Sequence, residues 1–248
     1  MDLGLEGRRA LVTGASAGLG LSCARALLAE GAVVTIASRS AERIAAASEQ
    51  LGGGVTTLTA DVADPDAAQE VVEAADRAMG GVDILVANAG GPPPGTFTST
   101  AVDAYLDAFR LNALSTIAMC AAAIPAMRRR GWGRVVAVTS IAVREPIATL
   151  ILSNTARAGL TGFLKTTARE VAGDGVTVNS LQPGLHRTAR LTDVYGDDLS
   201  PLAATIPAGV IGDPDDFGAI AAFLCSDAAS FITGAAIPVD GGGSHGLQ

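Results

Sequence analysis

Thr13-Gly14-Ala15-Ser16-Ala17-Gly18-Leu19-Gly20 decides how this chain is read. The stretch joins a short β-branched run, Arg8–Thr13, to an Ala- and Leu-rich stretch, Leu19–Glu30. A strand that turns through glycines straight into a helix leaves free N–H groups at the helix start, where the helix dipole favours an anion. Glycine lets the backbone turn tightly there and come close to a diphosphate. The spacing is Gly-x-x-x-Gly-x-Gly, not the commonest dinucleotide fingerprint, so the turn takes its meaning from its place in a βαβ unit. Gly14, Ser16, Ala17, Gly18, Leu19 and Gly20 are therefore the candidate phosphate cradle.

The same alternation continues outward from that unit. Strand-like runs at Val33–Ser38, Val55–Thr59, Ile84–Asn88, Arg134–Ser140, Thr177–Gln182 and Ala236–Val239 alternate with helical stretches. Those helices are expected at Ala41–Leu51, Pro65–Met79, Tyr105–Arg129, roughly Ser153–Ala172, and Pro214–Cys225, with an irregular segment after Gln182. Strands apolar on both faces and each followed by a helix imply a parallel sheet covered on both sides. Right-handed crossovers then give an α/β fold, a single Rossmann-type doubly wound sheet. With no repeat or linker, residues 1–248 are expected to form one domain.

Composition narrows the function classes. Seventeen Lys plus Arg against 25 Asp plus Glu give a net charge of −8, and the longest basic run is Arg128-Arg129-Arg130. That balance argues against nucleic acid as a partner, and the triplet suits a helix C-terminus. Cys23, Cys120 and Cys225 are isolated in apolar runs, as buried thiols in a reducing compartment are. His186 and His245 lie too far apart in sequence for the usual metal sites, so no metal is expected. Met1–Arg9 lacks the apolar stretch of a signal peptide, and Leu111–Met127 carries Asn112, Ser115, Thr116 and Pro125. The expectation is a cytoplasmic protein with a buried helix there, not a membrane span. A small-molecule substrate is the expected partner.

The end of the second strand, Ser38-Arg39, bears on the cofactor. An acid at this point would bind the ribose 2′-hydroxyl of NAD. Serine followed by arginine instead removes the repulsion and offers a forked grip on a 2′-phosphate. NADP(H) is favoured over NAD(H).

Further along come Asp61-Val62, Asn88-Ala89-Gly90, Asn112, Ser140, Pro183-Gly184 with Thr188, and Pro238-Val239-Asp240-Gly241-Gly242. With the Gly14/Gly18/Gly20 turn, these make the chain resemble the short-chain dehydrogenase/reductase family from about Leu5 to Gly242. The closest likeness is to its 3-oxoacyl-(acyl carrier protein) reductase-like branch. The resemblance implies that Asp61 and Val62 hold the adenine, Asn88, Ala89 and Gly90 line the cofactor groove, and Pro183, Gly184 and Thr188 cover the nicotinamide. It also implies a homotetramer, to which the apolar Leu111–Met127 and Leu160–Ala172 and the stretch Phe231–Gly234 would contribute.

The family's chemistry uses Asn, Ser, Tyr and Lys, and here the pattern breaks. Asn112 and Ser140 match, but the expected Tyr-x-x-x-Lys reads Ser153-Asn154-Thr155-Ala156-Arg157, in a register fixed by Ala158–Phe163. Arg157 keeps the charge and can hold ribose hydroxyls, yet it does not deprotonate at neutral pH. Ser153 is shorter than a tyrosine by a ring and far less acidic. Three other groups stand near the expected substrate mouth. The His186 ring is expected to face solvent while its backbone meets the carboxamide. Arg144-Glu145 either borders the mouth or forms an exposed ion pair, and Tyr195 is expected on the surface of the lid Leu191–Ile206. The resulting expectation is an atypical NADP(H)-dependent oxidoreductase on a carbonyl or alcohol, with Ser140, Asn112, Ser153 and Arg157 at its centre. The alternatives are a non-redox isomerase, lyase or cyclase, or an inactive NADP-binding regulatory protein.

Overall fold

The structure is a computed structural model that describes residues 2–246. Seven parallel strands form one sheet in the order β3-β2-β1-β4-β5-β6-β7. They are β1 (Arg9–Thr13), β2 (Val33–Ser38), β3 (Thr56–Thr59), β4 (Ile84–Ala87), β5 (Gly133–Val138), β6 (Val176–Pro183) and β7 (Ala236–Val239). Chain order reverses between β1 and β4, so a crevice opens at their carboxyl ends, where doubly wound sheets bind ligands.

Helices α1 (Gly18–Ala29), α2 (Ala41–Gln50), α3 (Pro65–Met79), α4 (Ala104–Phe109), α5 (Ser115–Arg130), α6 (Ile151–Val171), α7 (Ala189–Tyr195), α8 (Ser200–Ala203) and α9 (Pro214–Cys225) complete the chain order. Two apolar cores follow from this layering. Leu11, Leu85, Val135, Met119, Met127 and Leu164 fill the face toward α3, α5 and α6. Val12, Ile36, Val136, Leu27, Phe217 and Leu224 fill the face toward α1 and α9. The alternation along β1, Leu11 to one core and Val12 to the other, is what makes the strand read as a continuous apolar run.

Local chemistry sets the helix ends. Asp64 and Asp213 cap α3 and α9 by accepting the backbone N–H of Asp66 and Asp215, with proline in the first turn of each. The α5 terminus carries Arg128, Arg129 and Arg130 before the left-handed Gly131, as positive charge at a helix end should. Arg128 pairs there with Asp174 at 2.6 Å, and Arg130 with Asp83 at 3.2 Å. All three cysteines are buried and unpaired, and burial pushes the Cys23 and Cys120 thiols up to about 12.

Two expectations about elements need correction. The helix expected over Tyr105–Arg129 is continuous but contains a wide π-type turn at Arg110–Leu114, closed by the Ser115 N–H donating to the Arg110 carbonyl. The segment expected to be irregular after Gln182 carries two short helices, α7 and α8. Their apolar residues Leu191, Leu199 and Leu202 pack with Ile206 and Ile211 into a small core of their own.

Candidate active site

The turn after β1 is held by β4 through a crossed pair of bonds. Thr13 Oγ1 donates to the Asn88 carbonyl at 2.8 Å and accepts the Asn88 N–H at 3.0 Å. Asn88 Nδ2 then donates to the Gly14 carbonyl at 3.1 Å, so one residue past β4 fixes the shape of the glycine turn. Gly14 has φ +59°, and a Cβ there would stand 2.7 Å from both Asn88 Nδ2 and its carbonyl oxygen. A Cβ on Gly20 would meet Asn88 Nδ2 at the same 2.7 Å. Neither position can take a side chain without moving the backbone.

Behind this turn α1 starts at Gly18 with Ala17 as its N-cap, no side-chain cap bond and no acid in its first turn. Most helix starts satisfy their orphan N–H groups with a side-chain oxygen, as α3 and α9 do here. An uncapped start without negative charge fits a phosphate oxyanion. Ser16 lies in the turn, half-buried, and Leu19 lies in the first turn of α1. Thr188, the N-cap of α7, faces the turn closely enough that a Cβ on Gly18 would meet its Cγ2 at 3.2 Å.

The remaining groove residues ring the same crevice. Ser38 is buried and donates to the Ser40 carbonyl at 3.2 Å, while Arg39 is exposed at the end of β2 with no ion pair among the described residues. Asp61 accepts the Ala63 N–H at 3.1 Å in a tight turn after β3, beside the buried Val62. Ala89 and Gly90 follow Asn88, and nothing lies within 4 Å of where a Gly90 Cβ would be, so the backbone is open to the groove. Pro183 ends β6, and the Gly184 N–H donates to the Val239 carbonyl at 2.9 Å.

The second half of the site is built on α6, which packs against both the π-type turn and the short 3-10 turn Ile141–Val143 after Ser140. The wide turn carries Asn112, whose Nδ2 donates to the Gly90 carbonyl at 2.7 Å. Its Oδ1 is buried with no protein partner, an acceptor left for a bound molecule. Ser140 Oγ accepts the Ala142 N–H at 3.1 Å, which holds the oxygen and leaves the hydroxyl proton to donate elsewhere. Ser153 and Arg157 are buried one turn apart on the same face of α6. Ser153 has no side-chain hydrogen bond among the described residues, whereas Arg157 Nη1 donates to the Val138 carbonyl at 2.8 Å. Burial, reinforced by the charge of Arg190, brings the Arg157 guanidinium down to about 10, so it remains a cation at neutral pH.

A cleft of about 280 Å³ adjoins this group, lined mainly by Pro92, Pro93, Pro94, Ala108, Leu111 and Leu152, with Ser99, Thr100 and Asp107 also in its wall. Its wall is tied to the start of α6 by the Gly95 N–H donating to the Thr149 carbonyl at 2.7 Å. A larger cavity of about 600 Å³ opens at the amino ends of β5 and β6, beside Trp132 and Phe231, at the wrong end of the sheet for this chemistry.

Three of the expected stand-ins are placed differently or with new partners. The His186 ring does not face solvent. It is buried edge-on against Phe217, centroids 5.2 Å apart, and burial lowers its pKa against the opposing pull of the Gly184 carbonyl. Arg144 turns away from the substrate mouth, donating to Gln182 Oε1 and the Ala236 carbonyl, both at 2.5 Å. Glu145 pairs with His245 at 3.0 Å, an exposed contact. Tyr195 is exposed at the end of α7, as expected of a surface residue. Reading the sequence missed Arg190, which reaches across from α7 to donate to the Gly91 carbonyl at 3.3 Å. Its only sequence signal is its position two residues past Thr188.

Comparison with known proteins agrees with this architecture. The family described as enoyl-(acyl carrier protein) reductase matches residues 14–244. The chain is 35% identical over 240 residues to the 3-oxoacyl-[acyl-carrier-protein] reductase of Salmonella typhimurium, covering 97% of this chain and 98% of that one. The L-sorbose reductase of Gluconobacter frateurii, solved with NADPH and L-sorbose, superposes with a TM-score of 0.92 at 33% identity, covering 100% of both chains. An NADPH-bound short-chain oxidoreductase of Pseudomonas aeruginosa PAO1, described as containing an atypical catalytic center, superposes with a TM-score of 0.90 at 30% identity, covering 98% of this chain and 100% of that one. The crossed clasp at the glycine turn, the parallel sheet and these full-length likenesses lead to one assignment: the chain belongs to the short-chain dehydrogenase/reductase family of oxidoreductases.

Proposed function

We propose that this oxidoreductase uses NADP(H) in preference to NAD(H) and acts on a carbonyl or alcohol through a centre that lacks the family's proton-transferring phenol. The observation that carries the cofactor half is the uncapped, acid-free start of α1 behind Gly14 and Gly18. Gly14, Ser16, Ala17, Gly18, Leu19 and Gly20 would hold the diphosphate, and Asp61 and Val62 the adenine. Asn88, Ala89, Gly90, Pro183, Gly184 and Thr188 would line the rest of the groove. Ser38 and Arg39 would take the 2′-phosphate, since an exposed guanidinium in no ion pair among the described residues suits that dianion. The bound nicotinamide supplies or accepts a hydride.

Toward the substrate, Ser140 is the donor. Its oxygen is fixed by the Ala142 N–H, so its proton can bond the carbonyl oxygen and stabilise the charge that develops there. Asn112 offers its unpartnered Oδ1 beside the same groove. Arg157 holds ribose hydroxyls and favours negative charge nearby, but as a permanent cation it relays no proton. Ser153 fills the tyrosine position without supplying an acid. Positioned general acids contribute ~10²–10⁴-fold, so ordinary ketones should be reduced slowly by comparison with the rest of the family.

Three buried thiols with no disulfide fit a cytoplasmic enzyme. The exposed apolar Val102 just before α4, Leu106 on α4 and Leu114 in the wide turn, with the fully exposed Phe231, support a homotetramer. The deciding experiment scans carbonyls and alcohols with NADPH and NADH at the nicotinamide absorbance band. Turnover favouring NADPH is expected. A chain that binds NADPH yet turns over nothing in the panel would overturn the redox reading.

A further inference from the structure

The segment 188–211, which carries α7 and α8, is a small body hung on a neck. Its apolar residues Leu191, Leu199, Ile206 and Ile211 form a core separate from the two that cover the sheet. At the neck the Arg187 N–H donates to the Gly212 carbonyl at 2.9 Å, and the Gly212 N–H to the Leu185 carbonyl at 3.0 Å. The two ends of the segment therefore leave the sheet side by side. A unit with its own core and a narrow attachment moves as one piece about residues at that attachment. At its rear the Ala208 N–H donates to the Gly241 carbonyl at 3.0 Å.

Its front edge touches both walls of the crevice. Thr188 lies against the glycine turn after β1, where a Cβ on Gly18 would meet its Cγ2 at 3.2 Å. Two residues on, Arg190 Nη1 donates to the Gly91 carbonyl, on the loop after β4, at 3.3 Å. Among the described residues this is the one hydrogen bond that a side chain of the segment makes to the rest of the protein. Gly91 makes room for it: a Cβ there would stand 2.9 Å from both Nη1 and Nη2 of Arg190, so the guanidinium closes onto bare backbone. Gly18 and Gly90, the neighbours of these two contacts, belong to the groove assigned above to the dinucleotide. A dinucleotide laid along them lies beneath residues 188–190. Resting on that NADP(H) reading, we propose that Arg190 latches the segment over the cofactor by seating on Gly91, so that the cofactor enters and leaves only when this bond opens.

Stopped-flow mixing with NADPH, read by nicotinamide fluorescence, tests this on the full chain. Losing one such hydrogen bond shifts an opening equilibrium by about three- to tenfold. Arg190→Ala should therefore speed NADPH entry and release together by that factor, with Kd unchanged to within about threefold. Gly91→Ala should do the same, because Gly91 lies outside the left-handed region and an alanine there displaces only the end of the Arg190 side chain. The double variant should be no faster than either single one, since each removes the same latch. Arg190→Lys, which can still donate to the carbonyl, should fall between. Faster release with entry unchanged and Kd weakened in proportion overturns the proposal, since it makes Arg190 a ligand of the cofactor. Additive effects of the two substitutions overturn it as well. In the chain alone, hydrogen exchange along α7 should quicken in both single variants, and unchanged exchange refutes the latch. A chain that binds no NADPH refutes the cofactor reading instead, and exchange along α7 still decides whether Arg190 holds the segment.

Discussion

The two halves of the crevice are built from different materials. Around the glycine turn the working parts are backbone: N–H groups at the start of α1, a left-handed Gly14, and a clasp in which Thr13 and Asn88 exchange bonds with main-chain atoms. Along α6 the proposed working parts are side chains, among them Ser153 and Arg157, buried one turn apart. A backbone site is changed only by bending the chain, whereas a side-chain site is changed by one substitution that leaves the helix in place. The fold can therefore keep its cofactor frame while its chemistry shifts.

Restoring the side-chain half should give the largest change. Ser153→Tyr with Arg157→Lys is expected to raise NADPH oxidation with a 3-oxoacyl thioester by ~10²–10⁴-fold, because Ser140 and Asn112 are already in place. Steady-state rates on both proteins check this, and native turnover already equal to that of an ordinary relative would mean that another group delivers the proton. Breaking the backbone half should be nearly as severe. Gly14→Ala places a Cβ at φ +59° against Asn88. Strain of this kind costs about 1–3 kcal/mol, and NADPH binding should fall with it. Thermal melts and cofactor titration read the two effects separately; unchanged NADPH affinity would show that the turn is not the cradle.

Arg39→Asp gives a smaller effect confined to one end of the groove. It should reverse the order of NADPH and NADH affinities, by about tenfold in their ratio, because it replaces a phosphate-binding cation with a ribose-binding acid. Equal affinity for both cofactors in the unchanged protein would sink the assignment. The smallest effect concerns His186. Burial holds its pKa below the ordinary value of about 6.5, so the unfolded chain binds the proton more readily than the folded one. Its contribution is intact above about pH 6.5 and is lost as pH falls through the lower folded pKa. His186→Asn should flatten the fall in Tm over that acid range; an identical pH slope in the variant would mean the imidazole carries no charge-linked stability.

The same division explains what could be read before the fold was in view. A strand such as Val33–Ser38, buried from Val34 onward, and a helix such as Pro65–Met79 were legible because burial on both sheet faces writes a continuous apolar run and Asp-Pro writes a helix start. The wide turn at Arg110–Leu114 was not, since an apolar stretch looks alike at either hydrogen-bond spacing. The short lid helices were hidden in polar sequence, and only their packing with Ile206 and Ile211 defines them. His186 was misplaced because its partner, Phe217, comes from a distant helix that sequence spacing does not bring near. Arg190 escaped for the same reason: its partner, the Gly91 carbonyl, lies on a segment far away in the chain.

The wide turn at Arg110–Leu114 makes one rod do the work of two. A turn closed from residue i to i−5 holds one residue more than its neighbours, so everything beyond it is rotated about 100° relative to an unbroken α-helix. The α4 end thus presents Ala108 to α6 and Leu106 outward, while the α5 end turns Met119 and Ala123 onto the sheet. Asn112 sits at the joint, and its angle toward Gly90 is a product of that extra residue. Deleting one residue there would knit a more regular helix and swing the amide off the groove. Local regularity and a correctly aimed amide are thus opposed at this joint, and the helix keeps the irregular arrangement.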